Sequence, residues 1–209
     1  MTSYMEIIMK GGIVMIPIFI CSVIATSIII GRLWTLRNAR INSAQFMMRL
    51  RSLIMKGRND DAVDLCANTD GSLAKILRKG IARIGRPKAE VQETIQNAGK
   101  EEIYHLEKNL GILASVAGVA PLIGFLGTVI GMIQAFMQIE VAGGSPNPAD
   151  LAGGIWVALI TTAAGLSVGI PTQIFYNFLI SKVEKMVFEM ESHSTEILDL
   201  MFNRSDDEE

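Results

Sequence analysis

Apolar positions along this chain gather into three long runs, and between the runs they recur at helical spacing. The first run, "GGIVMIPIFICSVIATSIIIG", covers residues 11–31 and is closed by Arg32 and Trp34, side chains suited to a membrane–water interface. The second covers 109–139 between Lys108 and Glu140, and the third covers 151–181 between Asp150 and Lys182. A helix needs about 20 apolar residues to cross a hydrocarbon core of about 30 Å, so each run predicts a transmembrane helix. The second and third would make helices of about 46 Å, longer than the bilayer, and must tilt or project into water.

Polar punctuation divides the stretch from 32 to 108. Ser43 can cap a helix with Phe46, Met47, Leu50, Leu53 and Ile54 on one face, ending at Gly57. "NDDAVDLC" predicts a short helix with Asn59 as its cap. Beyond "TDGS", Ser72 opens an amphipathic helix with Ile76, Leu77, Ile81 and Ile84 on its apolar side, stopped by "GRP" at 85–87. From Lys88 to Lys108 no proline intervenes, and the pattern predicts one helix running directly into the second span. The third span likewise continues through "SKVEKMVFEMESHSTEILDLMF" to an acidic "DDEE" expected to be disordered. His105 and His193 fall in these charged helices and read as solvated surface residues. The expected order is an amphipathic segment at 1–10, a span at 11–31, a helical loop at 32–108, spans at 109–139 and 151–181 joined by a loop at 140–150, and a helical tail at 182–209.

Composition sharpens this picture. Half of the 209 residues are hydrophobic and only 19% are charged, too few for an ordinary soluble domain. A net charge of -2 argues against a globally basic nucleic-acid binder. Cys21 and Cys66 read as small buried apolar residues, not as a disulfide framework, and no metal-spaced cluster stands out. The first run is expected to be retained as a span, because it is longer than a signal-peptide core, lacks a small-x-small cleavage site and has its positive charge after it. Of the 19 basic residues, 15 lie between Arg32 and Lys108 and none lies in "EVAGGSPNPAD" at 140–150. Positive charge is retained on the cytoplasmic side, so the N-terminus and short loop are expected outside, and the large loop and tail inside.

Projected on a helix, Gly124, Gly127, Thr128, Gly131, Gln134, Ala135 and Gln138 share one side of the second span. Leu122, Phe125, Val129, Met132 and Phe136 lie opposite. The third span repeats the device with Ala158, Thr162, Gly165, Gly169 and Thr172. The small residues, including the Gly127 and Gly131 pair, suit close helix packing, whereas Thr128 and Thr162 suit either packing or a polar path. Asp, Glu, Lys, Arg and His are absent from 109–139 and from 151–181. If the chain conducts protons, another polypeptide must bring the titrating group. No nucleotide-binding loop, Ser-His-Asp arrangement or enclosed carboxylate pair is evident, so an enzyme is not expected.

The segments "LASVAGVAPLIGFLGTVIGMIQAF" from Leu113 and "GIWVALITTAAGLSVGIPTQIFYNFLISKVE" from Gly154 resemble the MotA/TolQ/ExbB proton-channel family, in particular its ExbB/TolQ branch. The resemblance covers nearly the whole chain. It implies an all-α membrane protein with three transmembrane helices, two of them long and extending into the cytoplasm, assembled as a homo-pentameric ring in the bacterial inner membrane. It implies an ExbD- or TolR-like single-span partner supplying a membrane aspartate, and a TonB- or TolA-like protein that transmits force to the outer membrane. No cofactor is implied. Thr128 and Thr162 match the family's pore threonines, with Gly124, Gly127, Gly131, Gly165 and Gly169 packing nearby. Val157 stands where many members carry a glutamate, which shifts the burden to the partner's aspartate. The expected function is a proton-channel subunit for TonB-dependent transport, with a TolQ-like envelope role or a passive scaffold as alternatives. A MotA-type subunit is disfavoured by three spans, and a solute transporter by the lack of a repeat or a midplane charge.

Overall fold

A computed structural model describes residues 11–38, 43–141 and 148–206. The expected 1–10 segment, most of the 140–150 connection and the acidic end lie outside the described residues. The described elements are all helices: α1 (Met15–Asn38), α2 (Ser43–Met55), α3 (Asn59–Ala67), α4 (Ser72–Ile81), α5 (Lys88–Glu107), α6 (Leu110–Val141) and α7 (Pro148–Asp206). Among the described residues, three helical runs are long and apolar enough to cross a membrane, within Met15–Arg37, Lys88–Val141 and Leu151–Phe202. At 59 residues α7 extends to about 88 Å, so it spans and continues well beyond a bilayer. The chain divides into two compact units, one comprising 1–31 with 109–178 and the other 32–108 with 179–209.

The first unit contains most of α1, all of α6 and the N-terminal half of α7. Its outward surface is apolar, with Phe19, Leu122, Phe125, Phe136 and Leu159 each more than half exposed. Such a surface suits lipid, where helices associate through close packing instead of apolar burial. Pro121 and Pro171 lie inside α6 and α7, which continue through both.

The second unit is a helical cluster with a conventional apolar core. Phe46, Leu50 and Ile54 of α2, Ile76 and Leu77 of α4, Val91 and Ile95 of α5, and Val183 and Ile197 of α7 are all buried. Each such side chain contributes about 1.5–3 kcal/mol on burial. α2 ends as its sequence predicts: Gly57 has φ 72°, its N–H donates to Ile54 O at 3.0 Å, and Arg58 N–H donates to Leu53 O at 3.0 Å. That pair of bonds satisfies two terminal carbonyls at a left-handed stop. α3 begins at Asn59 itself, one residue earlier than a cap at Asn59 would give, with Arg58 in the capping position. α4 packs on α5 where Gly80 meets Ile95, and a Cβ at Gly80 would come within 2.7 Å of Ile95 Cδ1. A cleft of about 650 Å³ lies in this unit, lined by Lys88, Gln92 and Gly99 of α5 and by Met190, Ser194 and Leu198 of α7.

The expectation of one unbroken helix from Lys88 into the second span is corrected. α5 ends at Glu107, Lys108 adopts φ -48° and ψ 132°, Asn109 adopts φ 65°, and α6 starts at Leu110. Helical periodicity cannot reveal this break, because the break neither inserts a proline nor disturbs the apolar pattern. Asparagine is the side chain that best tolerates left-handed backbone after glycine. Its carbonyl accepts Leu113 N–H at 3.2 Å, opening α6, while Arg32 Nη1 donates to His105 O at 3.1 Å and satisfies a terminal carbonyl of α5.

Candidate functional site

α6 and the N-terminal half of α7 meet along a seam of small residues, and this contact brings the two singled-out threonines together. Gly124, Gly127, Gly131 and Ala135 of α6 are buried, as are Gly154, Ala158, Gly165, Gly169 and Thr172 of α7. The approach is too close for side chains. A Cβ at Gly165 would lie 2.6 Å from Ala120 O, one at Gly131 2.6 Å from Gly154 O, and one at Gly124 2.8 Å from Thr161 O. Gly169 makes room for the ring of Pro121, where a Cβ would meet Pro121 Cδ at 2.7 Å. The five glycines predicted to pack near the threonines therefore all lie in the seam.

Gln134 and Gln138, expected on the same side, remain exposed. Closest approach is centred on Gly124 and Gly131 and leaves both amides out. Leu122, Phe125, Val129, Met132 and Phe136 face outward, as their position opposite the seam requires.

Thr128 Oγ1 and Thr162 Oγ1 form a hydroxyl–hydroxyl hydrogen bond within one chain. Both side chains are half-buried, so each keeps an accessible flank. Thr162 Oγ1 also lies 3.2 Å from Gly124 O, and Thr128 Oγ1 lies 3.4 Å from both Gly124 O and Ala158 O, carbonyls that are alternative acceptors for the one hydrogen not held between the two oxygens. A hydroxyl offers one donor and two acceptor sites, so the pair retains unfilled acceptor capacity. Half-buried Val157 brings no carboxylate to the seam, and its carbonyl accepts the Thr161 hydroxyl at 2.8 Å.

Sequence pattern alone does not single out Thr161. It is fully buried, and its hydroxyl donates to Val157 O at 2.8 Å and Ala158 O at 3.1 Å on its own helix. It faces Gly127, where an added Cβ would lie 2.5 Å from Thr161 Cβ and closer still to its Oγ1. The "ITTAAG" doublet is the one signal that points to it, but periodicity does not say which threonine enters the seam.

Residues 68–192, which include α4 to α6 and much of α7, match the MotA/TolQ/ExbB proton channel family. An ExbB-like protein of Synechocystis is 25% identical over 201 residues, 96% of this chain and 95% of that one. Biopolymer transport protein ExbB of Neisseria meningitidis is 25% identical over 215 residues, covering 94% of this chain and 96% of its own. That of Aquifex aeolicus is 42% identical over 87 residues, covering 42% and 58%. The family is one of channels and transport components, and the apolar helices match its membrane character. With the match extending over more than half of its length, the chain belongs to the MotA/TolQ/ExbB proton channel family and is a multi-pass membrane protein.

Proposed function

We propose that the chain is an inner-membrane proton-channel subunit that, with an ExbD-like single-span partner, couples the proton motive force to TonB-dependent transport across the outer membrane. The observation that carries this reading is a contacting hydroxyl pair, Thr128 and Thr162, in two spans that hold no Asp, Glu, Lys, Arg or His. Hydroxyls do not titrate in the useful range, so the pair cannot take up and release protons alone. Its one hydrogen outside the mutual bond can turn from a backbone carbonyl to a carboxylate, and its open acceptor sites can take the proton of a carboxylic acid, so it solvates both states of a partner's aspartate where an unsolvated charge is expensive. Five copies forming a ring would present five such pairs to the partner's helix. In this arrangement the N-terminus is periplasmic, and the second unit and C-terminus are cytoplasmic, following the distribution of basic residues.

The packing seam supports a second reading, that of a passive scaffold, because its glycines are filled by the facing helix. Thr128→Val and Thr162→Val separate the two. Under the channel reading, each variant assembles with its partner and loses proton-driven uptake, measured in cells lacking the native gene. Full uptake in both, with the complex intact, leaves only the scaffold.

A further inference from the structure

Thr161 and Thr162 are adjacent in sequence but differ in surroundings. We infer that Thr161 is a positioning residue, locking into the hollow at Gly127 and thereby setting the register in which Thr162 meets Thr128. Three observations carry this. Thr161 is 0% exposed, whereas Thr162 is half-buried. Its hydroxyl is directed to two carbonyls of its own helix, Val157 O and Ala158 O, so it stays outside the hydroxyl pair. Its side chain occupies the space that a Cβ at Gly127 would need, with Thr161 Cγ2 2.9 Å from that position.

Because 127 precedes 128 and 161 precedes 162, fixing the first contact fixes the second. A slip of one residue shifts a helix by about 1.5 Å and turns it by about 100°, enough to pull the touching hydroxyls apart. Ala158 O adds a second link, since it accepts from Thr161 at 3.1 Å and lies 3.4 Å from Thr128 Oγ1. The ring of Pro121 at Gly169 is a second interlocked side chain farther along the seam, whereas the contacts nearer the hydroxyl pair, at Gly124, Gly131 and Gly165, are mostly against backbone and resist sliding less than an interlocked side chain does. The positioning itself is a matter of geometry, and its importance for proton transfer rests on the function proposed above.

Cross-linking in the full-length, membrane-embedded chain tests the register. With Cys21 and Cys66 replaced by alanine, Thr128→Cys and Thr162→Cys together place two thiols where the hydroxyls touch, and oxidant-driven disulfide formation reports their alignment. Thr161→Ala is expected to slow cross-linking on the order of tenfold, equivalent to ~1.4 kcal/mol. Thr161→Ser keeps the atom nearest Gly127 and is expected to retain most of the rate. Gly127→Ala, which closes the hollow, is expected to slow it as well. With the native threonines at 128 and 162, Thr161→Ala should lower proton-driven uptake and Thr161→Ser should restore it. Unchanged cross-linking in Thr161→Ala, or equal loss in the alanine and serine variants, overturns the inference. Cross-linking reads alignment alone, so its outcome is separable from that of Thr128→Val and Thr162→Val, which test the proton path.

Discussion

Buried hydroxyls in this protein meet different ends, and their partners decide what each contributes. Thr161 and Thr172 bond back to their own helix, at 2.8 Å to Val157 O and 2.6 Å to Val168 O, and so enter apolar surroundings without loss. Thr128 and Thr162 bond to each other and keep a flank open. Ser194, 5% exposed beside the cleft, has a hydroxyl with no hydrogen-bond partner. An orphaned buried polar group costs about 1–3 kcal/mol, so Ser194→Ala is expected to raise stability by about 1 kcal/mol, read as a higher unfolding midpoint in detergent. Cys66 behaves as the small apolar residue its sequence suggests. Burial pushes its thiol up to about 12 from an ordinary 9.0, against a smaller opposing pull from Arg78. The folded chain keeps this proton while the unfolded chain releases it from about pH 9, so stability falls as pH rises between about 9 and 12. Cys66→Ala should remove that component of the alkaline decline, and native Cys66 should resist thiol alkylation at about pH 8 until the chain unfolds.

At the scale of elements, the spans and most helix ends are readable from sequence because their causes are local. Apolar length and the glycine stop at Gly57 need no distant partner, whereas α4 ends at Ile81, ahead of Ile84 and of the "GRP" expected to stop it. The break at Lys108 and Asn109 is not readable, since asparagine adopts left-handed backbone only when the surroundings require it. Asn109→Gly is expected to be tolerated, whereas Asn109→Val should destabilise by about 1–2 kcal/mol, measured by thermal unfolding, because a β-branched side chain crowds φ 65°. Close approach of α6 and α7 gives a sharper expectation. At Gly165 a Cβ meets backbone oxygen at 2.6 Å, which no rotamer change relieves. Gly165→Ala should therefore push α6 and α7 apart and increase protease sensitivity of the 140–150 connection, while an alanine at exposed Gly118, where a Cβ meets nothing within 4 Å, should not.

For the whole molecule, the proposed function requires an incomplete channel. Its second and third apolar runs supply close packing and paired hydroxyls, but no Asp, Glu, Lys, Arg or His. Purification in mild detergent should yield a mass for several copies of this chain together with a single-span protein bearing a membrane aspartate. A mass accounted for by this chain alone would contradict the proposed partnership. The sequence by itself determined what is additive along the chain: three apolar runs, the lack of midplane charge, the concentration of basic residues between 32 and 108, and the motifs that mark the family. Tertiary structure alone decided which side chains of each small-residue face enter the contact. It left Gln134 and Gln138 exposed, buried Thr161 in place of its neighbour, and brought Thr128 onto Thr162. Helical periodicity specifies a direction to within a broad arc, but contact between a pair of hydroxyls depends on the rotation and register of both helices at once, and those are settled only where Gly124, Gly131 and Gly165 let the backbones touch.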